Sequence, residues 1–302
     1  MEADVFERQV NEAQNASRAG DWPRALAGYV DLAEQFPNRT EPTRRLENLL
    51  SEVRNNPSRI NPAAFATARP NLERAARLGV VQAMLILGQN LRSANSEDAL
   101  AWYTLAAQKG NLEAMVQTGL IYSNRRDAEE GGKALEYFLR AAEGGSREGK
   151  YYTGECYYFG KPGVLPDEPK ALQYLQEAAA LGDLRAMNLL GDHLRKQSRY
   201  DEAFRYFEEA AKGGLAMATA NLGVMYMNGW GVSKNREAAV NLFRQAAEKS
   251  DAGGMFFLAE CLQGGLGTAK DPRAALDWFK KAARAGNPKA IEYCRANAID
   301  LP

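Results

Sequence analysis

Pairs of adjacent alanines recur along this chain at nearly regular intervals. The pairs begin at residues 75, 106, 141, 178, 210, 246 and 282, so successive steps are 31, 35, 37, 32, 36 and 36 residues. A step of this length is typical of a repeat made of two helices, which buries its apolar face only against neighbouring repeats. The spacing therefore predicts an array of stacked helix pairs instead of one or two globular domains.

An apolar run at helical spacing precedes each alanine pair and predicts one helix of the repeat, here called helix B. Ala134 and Leu135, for example, come before Tyr137 and Phe138. Four of the pairs are followed by a glycine, which permits the left-handed backbone that ends a helix, and then by a short polar residue that caps the next helix. These junctions are Gly110-Asn111, Gly145-Ser146, Gly182-Asp183 and Gly286-Asn287.

The helix after each junction, helix A, carries an alanine five residues before a glycine in most units, as at Ala114 and Gly119. Three units then insert a glycine-rich loop before helix B, and the loops cover residues 160–164, 229–232 and 265–268. A short polar residue follows each loop, four residues before the alanine that recurs at the start of the helix B apolar run, where it is placed to cap that helix. The three predicted caps are Asp167, Asn235 and Asp271.

The complete repeated string resembles the Sel1-like repeat, a relative of the tetratricopeptide repeat. It runs from an alanine through Leu-Gly, Tyr, Gly-x-Gly-Val, Asp, Ala and an aromatic pair to Ala-Ala-x-x-Gly. The segment with Gly20, Trp22, Ala25, Tyr29 and Pro37 also resembles a tetratricopeptide motif. The resemblance implies an all-α fold, a right-handed superhelical α-solenoid of stacked antiparallel helix pairs, with no cofactor.

The repeats divide the chain into four predicted parts. Residues 1–37 form an N-terminal tetratricopeptide-like hairpin, 38–79 a degenerate repeat or connecting helices, 80–286 six Sel1-like repeats and 287–302 a C-terminal capping helix. The six repeats cover residues 80–110, 111–145, 146–182, 183–214, 215–250 and 251–286. Prolines punctuate the second part into two predicted helices and lie at Pro42, Pro57, Pro62 and Pro70. The alternative for residues 55–62 is a hinge.

The glycine of helix A separates two faces of that helix. Counting 100° per residue, positions −5, −4, −1, 0 and +3 share one side and hold mostly small or apolar residues, which predicts the packing face. Positions −3, +1 and +4 lie opposite and mix aromatic, apolar and charged residues, whereas the outward positions of helix B are mostly charged or amide. Since related solenoids place the first helix on the inner curve, these positions are predicted to line a concave groove. The candidate partner-binding residues are Tyr151, Glu155, Tyr158, Asn188, Asp192, Arg195, Val224, Met227, Phe256 and Glu260.

Such a mixture of aromatic, methionine and charged side chains suits an extended or helical peptide of a partner protein. The alternative is that tight curvature half-buries these side chains against one another, with no ligand involved. The predicted function is a protein-interaction scaffold or adaptor, similar to bacterial Sel1-like proteins that assemble signalling, secretion or envelope complexes. The rival prediction is a regulatory repeat domain excised from a larger signalling or envelope enzyme.

Composition narrows the choice of partner. The 38 Lys and Arg residues balance 38 Asp and Glu residues, so the chain has no basic field for nucleic acid. No stretch approaches the ~20 apolar residues that cross a bilayer, and no signal-peptide pattern begins the chain, which favours a cytoplasmic protein without membrane insertion. The chain is also interpretable as a piece of a longer protein, and the sequence does not predict an oligomeric state.

Residues for catalysis or metal binding are scarce. Cys156, Cys261 and Cys294 are too scattered for a disulfide framework and have no CxxC spacing, so they are predicted to be core residues. His193 is the only histidine, and other units hold residues as different as Ile and Cys at its position, which favours packing. The sequence therefore predicts no enzyme and no metal site, with His193 and Asp192 as the weaker catalytic alternative.

Overall fold

Helices make up the regular structure of this protein. The computed structural model describes residues 2–93, 96–125 and 127–299. Within these ranges the chain forms 17 α-helices and one 3₁₀ turn, and one isolated bridge joins Lys161 and Val164. The predicted all-α fold is therefore confirmed.

The chain divides into two compact units. The first comprises residues 1–149 and 161–165, and its helices are α1 (Glu2–Arg18), α2 (Trp22–Gln35), α3 (Thr40–Arg54), α4 (Pro62–Arg77), α5 (Val81–Leu91), α6 (Ser96–Gln108), α7 (Leu112–Ser123) and α8 (Ala128–Glu143). Helices α5 and α7 are helix A of successive repeats, and α6 and α8 are helix B. Each A helix packs on the B helix that follows it, which gives the stacked pairs expected from the sequence.

The second unit comprises residues 150–160 and 166–302. Its helices are α9 (Arg147–Phe159, which begins at the end of the first unit), α10 (Glu168–Ala180), α11 (Leu184–Lys196), α12 (Tyr200–Lys212), α13 (Ala216–Asn228), α14 (Arg236–Glu248), α15 (Ala252–Gly264), α16 (Pro272–Arg284) and α17 (Pro288–Ala296). Helices α9, α11, α13 and α15 are the A helices. α13 also contacts α15, so successive A helices lie side by side.

The junctions between helix B and helix A have the predicted turn chemistry. Gly110 and Gly182 have φ angles of 85° and 81°, the left-handed region that other residues enter only at a cost of roughly 1 to 2 kcal/mol. The following Asn111 and Asp183 accept hydrogen bonds from amides of the next helix. Ser250 occupies the same kind of junction with φ 63°, so this one turn is made without glycine.

The predicted caps of helix B are confirmed as well. Each side chain accepts a hydrogen bond from a backbone amide three residues later, which satisfies one of the free amides at the helix start. The capping residues are Asp167, Asn235 and Asp271.

The glycine of helix A lies directly against a side chain of the paired helix B. A β-carbon at Gly119 would lie 2.5 Å from the ring of Phe138, and one at Gly223 would lie 2.6 Å from the ring of Phe243. No ordinary contact is that short, so only glycine lets these two helices approach so closely. This contact explains why the predicted packing face is centred on a glycine.

The glycine-rich loops do more than reverse the chain. Gly163, Gly231 and Gly267 have positive φ angles, and each packs on the start of the helix B of the preceding repeat. A β-carbon at Gly231 would lie 2.5 Å from the carbonyl oxygen of Tyr200, and one at Gly267 would lie 2.5 Å from the backbone of Arg236. The second glycine of each loop is therefore a contact between neighbouring repeats.

Prolines shape the segment between the hairpin α1–α2 and the first repeat. Pro62 is the first residue of α4, a position that needs no amide hydrogen. The segment forms two helices, α3 and α4, and Pro70 lies inside α4, which continues to Arg77. The indole nitrogen of Trp22 donates a 3.0 Å hydrogen bond to the carbonyl of Arg59, and this bond ties the 3₁₀ turn (Pro57–Arg59) to α2.

Candidate functional site

All ten candidate residues lie in the second unit, on the A helices. Six of them, called the paired half, lie on α9 and α11: Tyr151, Glu155, Tyr158, Asn188, Asp192 and Arg195. The other four, called the open half, lie on α13 and α15: Val224, Met227, Phe256 and Glu260. Most of the ten are half-buried, Asn188 and Phe256 are buried, and Glu260 is exposed.

Tyr151 and Glu155 form the first cluster of the paired half. The hydroxyl of Tyr151 donates a 2.9 Å hydrogen bond to Glu155, and the guanidinium of Arg185 lies 4.2 Å from the centre of the Tyr151 ring. Burial, together with the negative charge of Glu155, raises the pKa of Tyr151. The phenol therefore stays protonated and serves as a hydrogen-bond donor.

Arg185 is the residue of this cluster that the sequence reasoning missed. Its guanidinium binds the carboxylate of the buried Asp183 at 2.8 Å and the hydroxyl of Tyr152 at 2.9 Å. Asp183 also caps α11, so one arginine joins a helix cap to two tyrosine rings of the preceding A helix. No signal in the repeat identifies this position, because other units hold Glu113, Met217 or Gly253 there.

Tyr158 and His193 form the second cluster. The Tyr158 hydroxyl lies 3.5 Å from Nδ1 of His193, and the amide nitrogen of Gln197 lies 3.0 Å from Nε2. The imidazole is 8% exposed, and both ring nitrogens face a side chain of the protein. His193 therefore has the surroundings of a packed side chain. This agrees with the packing role predicted from the varied residues at its position in other units.

Charged and amide pairs complete the paired half. Arg195 and Lys196 contact the carboxylate of Asp192 at 2.5 Å and 2.8 Å. Burial raises the pKa of Asp192, but the hydrogen bonds from Lys196 and Arg195 outweigh it, so this pKa lies below its ordinary value. On the next A helix, Asn221 donates a 2.8 Å hydrogen bond to Asn188.

The open half is lined by clefts instead of paired polar groups. Val224, Met227 and Leu266 line an apolar cleft of about 200 Å³ between α13 and α15. Phe256 lies in a second cleft of about 390 Å³ between α15 and α17, with Tyr293 on its far wall. The sequence reasoning missed Leu266 and Tyr293, since neither occupies one of the three helix A positions that define the candidate surface.

Glu260 lines both clefts. Burial raises the pKa of its carboxyl group, and the positive charge of Lys289 opposes this effect only in part. Among the described residues, none donates a hydrogen bond to Glu260 or lies within ion-pair distance of it. The open half therefore presents a partly desolvated carboxylate without a partner of its own.

The cysteines and the acidic residues do not assemble a reactive centre in the described part of the chain. Cys156, Cys261 and Cys294 are buried and form no disulfide bond with one another, as predicted for core residues. Burial raises the pKa of Cys261 to about 11, so its thiol is un-ionised near neutral pH. No three His, Cys, Asp or Glu side chains in residues 2–93, 96–125 and 127–299 are grouped to hold a metal ion.

The Sel1 repeat matches six consecutive segments of the sequence. They are residues 73–111, 112–146, 147–183, 184–215, 216–251 and 252–287, and together they cover more than half of the chain. The chain belongs to the Sel1-repeat family. Proteins built from Sel1 repeats are generally scaffolds for protein interaction and typically non-catalytic.

Two curated proteins with assigned roles are similar to parts of this chain. The chitin synthase regulator SKT5 of Saccharomyces cerevisiae is 25% identical over 221 residues, which is 68% of this chain and 31% of SKT5. A component of an ERAD-associated E3 ubiquitin-protein ligase of Arabidopsis thaliana, HRD3B, is 34% identical over 115 residues, which is 38% of this chain and 18% of HRD3B. The chain spans less than half the length of the curated relatives it matches.

A solved structure supports the same fold. The protein c5321 of uropathogenic Escherichia coli, a protective antigen with an SLR fold, aligns with a TM-score of 0.63 at 25% identity. The alignment covers 89% of this chain and 58% of c5321. In the part of this chain that the structure describes, no helix is long and apolar enough to span a bilayer.

Proposed function

We propose that this Sel1-repeat protein is a scaffold that binds a segment of a partner protein on the A helices of its second unit. The observation that carries this proposal is the open half, where Val224, Met227 and the carboxylate of Glu260 line a cleft that opens to solvent. Sel1 repeats elsewhere hold proteins together, which makes a protein the expected occupant. The contact residues are proposed to be Val224, Met227, Phe256 and Glu260, with Tyr151, Glu155, Tyr158, Asn188, Asp192 and Arg195 extending the surface.

The paired half contributes to this surface mainly by holding it in shape. The hydrogen bonds of Tyr151 and Asn188 and the ion pairs of Asp192 lie within the protein. A partner that contacted these side chains would compete with those internal bonds, whereas a partner that contacted Glu260 would compete with no hydrogen bond or ion pair of the described residues. Binding energy is therefore expected to come chiefly from the open half.

A pair of matched variants tests the proposal. Val224→Lys with Met227→Lys places two cations on the proposed surface, and Asn241→Lys with Gln245→Lys places two cations on exposed positions of α14. Proteins retained from extracts of the source cells by the immobilised chain are expected to be lost with the first variant and kept with the second. Circular dichroism reports whether both variants stay helical. Equal retention by the two folded variants would refute the proposed surface.

A second candidate is a regulatory repeat module of a larger signalling or envelope enzyme system. The similarity to SKT5 favours this function, since SKT5 is named as a regulator of chitin synthase and the match covers only 31% of its length. The gene encoding this chain and its neighbours distinguish the two functions. A catalytic domain in the same reading frame supports the regulatory module, while a separate partner gene supports the scaffold.

A further inference from the structure

The two clefts beside α15 differ in chemistry and share one residue. The cleft toward α13 is lined mainly by apolar side chains, among them Val224, Met227 and Phe257. The cleft toward α17 has Phe256 and Tyr293 on its walls. Glu260 lines both clefts, so a ligand that fills the apolar cleft also lies next to the Glu260 carboxylate.

The size of the apolar cleft limits what enters it. Pockets for whole drug-sized ligands measure roughly 300 to 1,000 Å³ and bury most of the ligand, whereas this cleft measures about 200 Å³ and is open to solvent. Leu266 at its edge is 40% exposed and would be covered by an occupant. A single aliphatic or methionine side chain of a larger partner fits these dimensions better than a small molecule does.

The charges around the shared border favour a cation. Glu260 and Glu292 line the second cleft with Lys289 as its one basic residue, so the formal charge of these three groups is negative. Glu260 lines both clefts and has no hydrogen-bond or ion-pair partner among the described residues, and partial burial raises the pKa of its carboxyl group. A basic group of a partner would pair with this carboxylate, while an acidic partner would be repelled.

We propose that α15 recognises a peptide segment in which a Lys or Arg lies within two positions of a large aliphatic or methionine side chain. The aliphatic side chain occupies the cleft formed by Val224, Met227 and Leu266, and the basic group pairs with Glu260. The short separation follows from the position of Glu260 at the edge of the apolar cleft. This inference rests on the proposed function and names the chemistry of the partner.

The test begins with an unbiased probe. A random dodecapeptide library is selected on the immobilised full chain, and the bound sequences are compared with the input library. We expect enrichment of sequences in which Lys or Arg lies within two positions of Leu, Ile or Met. Enrichment of acidic sequences, of purely apolar sequences or of none would overturn the inference. Self-association of the chain that Glu260→Gln abolishes would also overturn it, because the occupant would then be a second copy.

A double-mutant cycle then assigns the basic residue to its partner. In fluorescence anisotropy, Glu260→Gln is expected to raise the dissociation constant of a selected peptide roughly fivefold. This is the upper end of what an exposed ion pair contributes to binding. Replacing the basic residue of the peptide with Gln should weaken binding to the unmodified chain equally, and should have no further effect on the Glu260→Gln variant. Glu248→Gln on α14 is the matched control and should bind normally. Independent effects of the two changes would overturn the assignment.

The outcome also separates this inference from the proposed function. A peptide that loses binding with Val224→Lys and Met227→Lys, but is unaffected by Glu260→Gln, supports the surface and refutes the basic partner. A peptide that binds equally to the unmodified chain, to the double variant Val224→Lys with Met227→Lys and to Glu260→Gln refutes both. The extract experiment described above judges the surface independently of any peptide.

Discussion

The paired half and the open half occupy the same positions of successive A helices but use them differently. On α9 and α11, the side chains of Tyr151 and Asp192 are bonded to other residues of the protein. On α13 and α15, Met227 and Glu260 face clefts. Position within a Sel1 repeat therefore does not decide whether a side chain holds the array together or remains free for a partner.

The contrast follows from what each position finds on the neighbouring helix. Tyr151 meets Arg185, a cation that covers its ring. Glu260 lines its clefts with Met227 of α13 and Lys289 of α17, and no described residue donates a hydrogen bond to it. Substitutions should therefore affect stability in the paired half and binding in the open half.

The largest expected difference concerns one large side chain in each half. Tyr158→Ala removes a half-buried ring that packs on His193 and should lower the free energy of unfolding by about 2 kcal/mol, less than for a fully buried aromatic. Met227→Ala should cost about 1 kcal/mol or less, since this side chain faces an open cleft. Urea denaturation followed by circular dichroism measures both. Tyr158→Phe, which keeps the ring, should be nearly neutral, and a larger loss for Met227→Ala than for Tyr158→Ala would contradict the contrast.

Arg185 gives the next largest effect. Arg185→Ala leaves the buried carboxylate of Asp183 without its cation and uncovers two tyrosine rings, so the free energy of unfolding should fall by about 1 to 2 kcal/mol. Hydrogen exchange should show that amide protection is lost chiefly at the start of α11. Lys281→Ala, which removes a cation from the half-buried ring of Trp278 on α16, is the control and should cost much less. A uniform loss of protection across the second unit would argue against a local role of Arg185.

The two serines with positive φ sharpen the comparison further, since one lies in each region. Ser198 follows α11 with φ 61°, and Ser250 follows α14 with φ 63°. Ser198→Gly and Ser250→Gly should each raise the free energy of unfolding by up to ~1 kcal/mol, because glycine enters this backbone region without steric cost. Gly214→Ser, at a junction with φ 96°, should have the opposite effect. Thermal unfolding measures all three, and stabilisation by Gly214→Ser would be inconsistent with this explanation.

The sequence predicted the repeat, its turns and its caps because these depend on residues that recur at fixed spacing. Gly182, Asp183 and Asn235 act locally, and each was assigned correctly from its neighbours in the chain. The sequence also identified which face of helix A packs, because Gly119 and Gly223 repeat there. Pro70 lies within α4, because a proline in a long helix is tolerated once tertiary packing holds that helix.

The division of the candidate surface was not predictable in the same way. The bond between Tyr151 and Glu155 lies within one helix. Arg185, however, reaches Tyr151 and Tyr152 from the next repeat, and no other unit holds an arginine at its position. The clefts depend on Leu266, in a loop, and on Tyr293, in the terminal helix. Contacts that occur once in a repeat protein leave no periodic signal, so spacing alone could not separate the two halves.

The smallest expected effect is the most specific, because the two carboxylates should respond to acid in opposite directions. The pKa of Asp192 is lowered in the folded protein, so its contribution to stability is complete above its ordinary pKa and is lost as the pH falls through the folded value. The pKa of Glu260 is raised, so its charged form destabilises the fold at neutral pH. That penalty disappears as the pH falls from the raised value to the ordinary one.

Asp192→Asn and Glu260→Gln make these directions measurable in urea denaturation between pH 7 and pH 3. Asp192→Asn should be less stable than the unmodified chain at pH 7, with the difference narrowing only below about pH 4, near the ordinary pKa of an aspartate. Glu260→Gln should be slightly more stable than the unmodified chain at pH 7. As the pH falls, this gain in the free energy of unfolding should disappear at a higher pH than the loss caused by Asp192→Asn does. A destabilised Glu260→Gln at pH 7 would mean that the carboxylate already has a partner within the fold. The predicted gain, with weaker binding of a basic peptide, would show that Glu260 is retained at a cost in stability that only a partner offsets.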